Sequence, residues 1–267
     1  MPYLLIVLLL AGCTSVQPAT ATNPADILKS TVKIETHFMT GNASIGSGTV
    51  VGVEETPAGF EYTILTAEHV LKPSPIHLVI GLSVITNDRD VTGQTRSVVK
   101  TWLMSDAYTV LSVNGSDLAL IKFWSPQQLP VSVAKQDAIS PILETSRIYA
   151  AGNSYGHGPF LYEGRVGSLV TTQDYPIKPL YTASIQWDAG ASGGGVYNSS
   201  LELIGVVIAE LGDLGFFLPL NAEANHGGNV VPIRDLIEGM RLINVPMPKH
   251  VPYVEGSAEL KLMGGKR

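Results

Sequence analysis

Short apolar, β-branched stretches recur along this chain, each bounded by Gly, Pro, Asn, Asp or Ser, and this pattern predicts strands throughout. Ser30–Thr36, Gly46–Val53, Glu61–Leu65, His77–Ile85, Ser97–Leu103, Tyr108–Val113 and Leu118–Phe123 form a first group, with one candidate to spare for a six-stranded barrel. A polar segment containing proline, from Ser125–Leu129 to Pro141, reads as the crossing to a second group. That group is Arg147–Ala151, Gly158–Thr172, Tyr181–Ile185, Gly194–Asn198, Leu203–Glu210 and Gly215–Leu218. Ile233–Leu242 has helical spacing, and Pro232 suits the start of a helix. The segment from Asn244 to Arg267, with Pro246, Pro248 and Pro252, reads as an extended or flexible tail. Short strands at regular intervals, without alternating helices, predict an all-β chain of two six-stranded antiparallel β-barrels and a short C-terminal helix. The barrels are expected near 27–124 and 141–232, within a domain over 27–242.

Against this background one segment is chemically unusual. DAGASGGGVYN, from Asp188 to Asn198, sets Ser192 behind Gly190 and ahead of three glycines. A nucleophilic serine needs an exposed hydroxyl and backbone N–H groups aimed at a developing oxyanion. Glycines on both sides permit the tight backbone and leave room for a carbonyl. A Gly-rich turn carrying an incidental serine has the same composition. Two other motifs separate these readings. TILTAEHV places His69 directly after an apolar run, and GSDLALIKF places Asp117 directly before one. By themselves, His69 reads equally as a buried structural histidine and Asp117 as a turn residue after Asn114, Gly115 and Ser116.

The chain order His, Asp, Ser is that of chymotrypsin-type proteases. GASGG also satisfies the G-x-S-x-G pattern of an α/β-hydrolase elbow, with Asp213 and His226 available downstream by order. Those residues follow too closely for the strand–helix units that fold requires, and LELIGVVIAEL after Ser192 reads as a strand. Six ordered segments, over about Ile27 to Met240, carry a wider likeness: SIGSGTVVG, EYTILTAEHVL, SDLALIKF, AAGNSYGHGPFLYEGRVGSL, GASGGGVYNSSLELIGVVIA and NVVPIRDL. On these the chain resembles a trypsin-like serine protease, closest to the disulfide-free bacterial Deg/high-temperature-requirement branch. The resemblance implies an active site between two barrels, with His69 and Asp117 from the first and Ser192 from the second. It also implies an oxyanion hole from the backbone N–H groups of Gly190 and Ser192. It implies a specificity pocket walled by Ser184–Ala189 and Ile208–Glu210, including Gln186, Asp188, Ile208 and Glu210. Ala191 departs from the pattern, because relatives usually carry Asp or Asn there, and a side chain that could steady the oxyanion loop is missing. The expected activity is peptide-bond hydrolysis by a serine endopeptidase. The alternative is a catalytically silent peptide- or protein-binding homologue on the same fold. Deg-type relatives are often trimers, which leaves a homo-oligomer open. Too few residues follow Met240 for a PDZ-like domain, which needs at least ~50.

Composition narrows the remaining classes. Of 267 residues, 45% are hydrophobic and only 15% charged, with a net charge of -6. Such a chain can bury a large core. It has no basic stripe, so nucleic acid is not an expected partner. No His, Cys or carboxylate spacing suggests a metal site: His37, His77, His157, His226 and His250 stand apart from any partner motif. Neither a metal nor a cofactor is expected. Cys13 is the single cysteine, so no internal disulfide forms. The apolar run Tyr3 to Leu10 is too short to span a bilayer but fits an export signal over 1–12. LLLAGC resembles a bacterial lipobox, with Cys13 as the lipidated first residue of the mature chain. No Lys or Arg precedes the apolar run, and an ordinary signal peptide shares the remaining features. The expectation is an exported protein, lipid-anchored through Cys13 at a bacterial membrane. Residues 13–26 would then be a flexible tether, and the anchor its only contact with the membrane.

Overall fold

The computed structural model describes residues 14–15, 18, 20–71, 79–89, 95–103, 108–113, 117–137, 140–170, 180–211, 214–219 and 260–262. The export signal, Cys13, His226 and the helix expected over Ile233–Leu242 lie outside them.

Strands dominate, in the order the apolar pattern predicts. The first group is β1 (Thr14–Ser15), β2 (Thr31–Phe38), β3 (Ala43–Thr56), β4 (Gly59–Ala67), β5 (Val79–Arg89), β6 (Thr95–Leu103), β7 (Tyr108–Val113) and β8 (Leu118–Ser125). The second is β9 (Arg147–Gly152), β10 (Phe160–Val170), β11 (Leu180–Ala183), β12 (Gly195–Tyr197), β13 (Leu203–Leu211) and β14 (Leu214–Pro219), followed by β15 (Leu260–Leu262). Several strands outrun their apolar stretch. In the β3–β4 hairpin, pairing continues through Glu54 opposite Glu61 to Thr56 opposite Gly59. Backbone ladders extend where side chains are already polar, since the ladder needs only N–H and C=O groups.

The second group closes as expected into a six-stranded barrel, in the order β10, β11, β14, β13, β12, β9. The first group differs from expectation. Its strands form one nine-stranded antiparallel sheet with the path β15, β7, β8, β4, β3, β2, β5, β6, and β1 added beside β3. The spare strand of the sequence pattern is therefore a member of the sheet. Leu260–Leu262 takes the edge of β7, with Leu260 opposite Val113. Composition places these residues in a free tail. They instead satisfy backbone groups on an edge that would otherwise lie open. The two sheets are curled and share the double-barrel architecture in all other respects.

The N-terminal segment also departs from a simple tether. Thr14 and Ser15 pair with Glu55 and Glu54. Pro24–Ser30 winds into a 3-10 helix, with Asn23 as its N-cap and Asp26 completing a capping box. Within this turn the Lys29 ammonium, then the Thr22 and Asn23 N–H groups, lower the Asp26 pKa to about 2. Ile27 is buried in the main core, and Ser30 Oγ lies 2.9 Å from the hydroxyl of Tyr197 in the second barrel.

Two clusters hold the structure. One runs through both sheets and joins Ile34, Ile64, Leu120 and Ile121 to Ala151, Leu203, Val206 and Ile208. The other fills the second barrel around Trp187, with Ile148, Val166, Ile185, Val196 and Val207. The crossing segment is stitched to both sheets. Leu129 N–H donates to the Tyr62 hydroxyl, Ala134 N–H to the Val50 carbonyl, and Asp137 N–H to the Leu203 carbonyl.

Candidate active site

His69 and Asp117 meet because of strand register. β4 and β8 pair antiparallel up to Ala67 opposite Leu118. The chain leaving β4 turns at once into a short helix, α1 (Glu68–Leu71), while Asp117 is the residue entering β8. The first turn of a helix has N–H groups with no partner inside the helix. Asp117 supplies two: its carbonyl accepts from Glu68 N–H at 2.9 Å, and its Oδ1 accepts from His69 N–H at 2.9 Å. Its other oxygen, Oδ2, lies 2.7 Å from His69 Nδ1. A carboxylate only accepts, so this contact calls for the proton on Nδ1 and leaves Nε2 without a partner among the described residues. The Asp117 side chain is 8% exposed and that of His69 is 39% exposed, so the acid is covered while the imidazole reaches solvent. Asp117 holds this clamp at φ 46°, a left-handed conformation that Asp tolerates better than most residues.

Ser192 lies on a turn between β11 and β12, and the backbone around it is held from several directions. The carbonyls of Asp188 to Ser192 all accept hydrogen bonds. Asp188 O accepts from Ala191 N–H at 3.0 Å, Ala189 O from Tyr155 N–H at 2.6 Å and Ala191 O from Gly194 N–H at 2.9 Å. Gly190 O accepts from the Ser47 hydroxyl at 2.7 Å, and Ser192 O from Ser47 N–H at 2.7 Å. By contrast, the N–H groups of Gly190 and Ser192 donate to nothing among the described residues. In a trans peptide the N–H points opposite to its C=O. Fixing the Ala189 and Ala191 carbonyls therefore fixes the direction of the two unpaired N–H groups. Gly190 sits at φ 93°, which a Cβ would disfavour, and an added Cβ would stand 2.6 Å from the Asn153 carbonyl oxygen. Gly193, at φ 86°, lets the Ser47 carbonyl approach so closely that a Cβ would collide with it.

Ala191 itself is buried against Gly152 and makes no polar contact through its side chain. The polar support comes instead from residues that lie inside the segments carrying the family likeness but were not named as site residues. Ser47 Oγ accepts from Asn153 N–H at 2.7 Å, Asn153 Nδ2 donates to the Val32 carbonyl, and Thr66 Oγ1 donates to the Ser47 carbonyl at 2.7 Å. Tyr155 adopts φ 50°, unusual for a bulky residue, and from there offers its N–H to Ala189. No local pattern announces these partners, since each bond joins residues distant in sequence.

Of the residues expected to wall a pocket, Gln186 is exposed and Ile208 is buried in the shared core. Asp188 is half-buried and accepts from the Tyr162 hydroxyl at 3.3 Å, while Ser154 Oγ bonds the same hydroxyl. Burial, and then the Asp188 carboxylate, push the Tyr162 pKa up. Asp188 is thus tied into the second barrel rather than standing as a free surface charge. Trp187 is buried beside it, edge-on to Tyr162 at 5.6 Å between ring centroids. Glu210 lies on β13 opposite Gly215, and its side chain falls outside the described residues. Among the described residues there is no group of His, Cys, Asp and Glu arranged to hold a metal.

Comparison with solved structures finds the same architecture. The chain superposes on the HtrA-type protease AlgW with a tripeptide at a TM-score of 0.55 and 19% identity, covering 82% of this chain and 61% of that one. It therefore spans less than two thirds of the AlgW chain. Deg5 gives a TM-score of 0.52 at 20% identity, covering 74% of this chain and 86% of that one. A protease from M. tuberculosis, in its active form, gives 0.52 at 19%, covering 77% and 85%. No curated protein sequence matches significantly. The sequence profile of the Trypsin-like peptidase domain matches residues 46–206, more than half of the chain and the whole span from β3 through His69, Asp117 and Ser192 to β13, so the chain belongs to the trypsin-like peptidase family.

Proposed function

We propose that this protein is a serine endopeptidase that works through His69, Asp117 and Ser192. The observation that carries this reading is the loop bearing Ser192, whose carbonyls are all bonded while the Gly190 and Ser192 N–H groups have no partner among the described residues; the imidazole of His69, oriented by Asp117, supports it. Ser192 Oγ attacks the peptide carbonyl as His69 Nε2 takes its proton. The Gly190 and Ser192 N–H groups receive the oxyanion of the tetrahedral intermediate, an interaction typically worth about 2.7–4 kcal/mol per donor. His69 then returns the proton to the leaving amine. Asp117 keeps the imidazole in the required tautomer and stabilises the imidazolium. Water repeats the cycle on the acyl-enzyme.

The test is labelling of the full chain by a fluorophosphonate, with Ser192→Ala as control. Labelling of the wild type that vanishes in Ser192→Ala is the expected result. A folded wild type that stays unlabelled would favour a silent peptide-binding protein instead. On substrates, we propose a small or medium apolar residue before the scissile bond, because the residue that the resemblance places near the base of the pocket is the uncharged Gln186. A cleavage profile with strict Lys or Arg preference would sink that proposal. For location, we propose export and lipid attachment at Cys13. Palmitate incorporation that survives Cys13→Ala would refute it.

A further inference from the structure

Ser47 stands on β3, in the first sheet, yet three of its four polar bonds concern the second half of the site. Its N–H holds the Ser192 carbonyl, its hydroxyl donates to the Gly190 carbonyl, and the same hydroxyl accepts from Asn153 N–H. Its carbonyl receives Thr66 Oγ1, three residues before His69 on the strand that delivers the imidazole. The residue is fully buried, so none of these groups has water as a substitute. The peptide joining Gly190 to Ala191 is therefore pinned at both ends. Its oxygen is held by Ser47 and its N–H by Asp188 O. That peptide is the strut between the two peptides whose N–H groups are unpaired. The Ala191 side chain, a methyl group, adds no polar bond to it.

We propose that the Ser47 hydroxyl is the positioning group that holds the Gly190–Ser192 loop with both N–H groups turned toward the substrate, supplying from the other sheet what the side chain at 191 cannot. The proposal rests on the oxyanion-hole reading given above. Without the hydroxyl, the half-buried Gly190 carbonyl loses its donor and the buried Asn153 N–H loses its acceptor. Both groups then reorient to find partners, and the strut turns with them. The Ser47 N–H bond to Ser192 is backbone and survives any substitution, so the nucleophile itself stays anchored. The loss should thus fall on transition-state stabilisation rather than on substrate binding. The bonds of the Ser47 hydroxyl fall on Gly190 and Asn153, so its loss should act on the loop and leave the pH profile in place.

The experiment compares the full-length wild type, Ser47→Ala, Ser47→Cys and Ser192→Ala. It measures the fluorophosphonate reaction rate, peptidase kcat and KM across pH, and the folded fraction by thermal unfolding. Ser47→Cys fills the same space with a poor donor, and keeps the test open if the alanine variant does not fold. The expected result is a fall of about 10- to 100-fold in kcat and in labelling rate for both Ser47 variants, below the 10²–10³ typical of removing an oxyanion donor outright. KM and the pH midpoint of kcat/KM should match the wild type. Wild-type kcat and labelling in either folded Ser47 variant would overturn the proposal while leaving the oxyanion-hole reading intact. So would a loss that only tracks the unfolded fraction. A wild type that is not labelled, or is labelled equally in Ser192→Ala, would overturn the underlying reading and this proposal with it.

Discussion

The two halves of the site are held in different ways. The His69–Asp117 half is nearly self-contained. One residue at the start of β8 accepts from two successive N–H groups of α1 and from the imidazole itself, all at one end of the paired strands β4 and β8. The Ser192 half has no such local solution. Its five carbonyls find donors in its own turn, in Tyr155 on the β9–β10 connection, and in Ser47 on the opposite sheet. A local clamp forms whenever its strands pair. A loop braced from elsewhere forms only when both sheets have docked. Damage to the first half should therefore appear as lost chemistry with a sound fold. Damage to the second should mix chemistry with stability.

Asp117→Asn is the sharpest break in the local half. Asparagine also tolerates the left-handed backbone and keeps an oxygen for the His69 N–H. Its amide cannot hold the Nδ1–H tautomer. The expected outcome is a fall of about 10⁴ in kcat, with a thermal midpoint close to wild type, read by steady-state kinetics and calorimetry on one preparation. A comparable loss of stability would show that the clamp is structural first.

Gly193→Ala is the corresponding break in the braced half. The new Cβ meets a forbidding backbone angle and the Ser47 carbonyl together. Strain of this kind costs about 1–3 kcal/mol before any displacement of β3 is counted. Denaturant unfolding should show at least that loss, and the folded fraction should label more slowly. Unchanged stability would mean that the contact between the sheets yields easily.

Tyr197→Phe gives the smallest effect and probes the docking of the two halves alone. Its hydroxyl meets Ser30 across the sheets, and deleting it should cost about 1 kcal/mol at neutral pH. Burial pushes the Tyr197 pKa up to about 12, above the value near 10 of the unfolded chain. Below about pH 10 both states are protonated and the contribution is complete. As pH rises through 12 the unfolded state ionises first, and that contribution is lost. Denaturation at pH 8 and pH 11 should show a smaller alkaline loss in Tyr197→Phe than in the wild type. Equal losses would assign the alkaline sensitivity to other groups.

Much of the fold was legible because it is local. TILTA and LALI are continuous β-branched and apolar runs, and they lie in central strands where they are buried on both faces. The six strands of the second barrel appear as predicted, since each is bounded by its own turn residues. Closure of the first group was not legible. Whether seven stretches close a ring or extend a sheet depends on which edges other segments occupy, and Leu260–Leu262 and Thr14–Ser15 carry no apolar signature strong enough to declare that they would occupy them.

The same division runs through the site. His69, Asp117 and Gly190–Ser192 could be named from sequence because each sits in a short motif, and strand register then carries His69 to Asp117. The side chain missing at Ala191 was equally plain. What replaces it was not, because Ser47, Asn153 and Tyr155 lie 37 to 145 residues from Ser192 along the chain, and nothing in their segments says which donor meets which carbonyl. Sequence determined which groups the proposed chemistry draws on and the strands that bear them. Tertiary structure alone decided how the loop is braced, since a buried carbonyl takes whichever donor the docking of two sheets brings within reach.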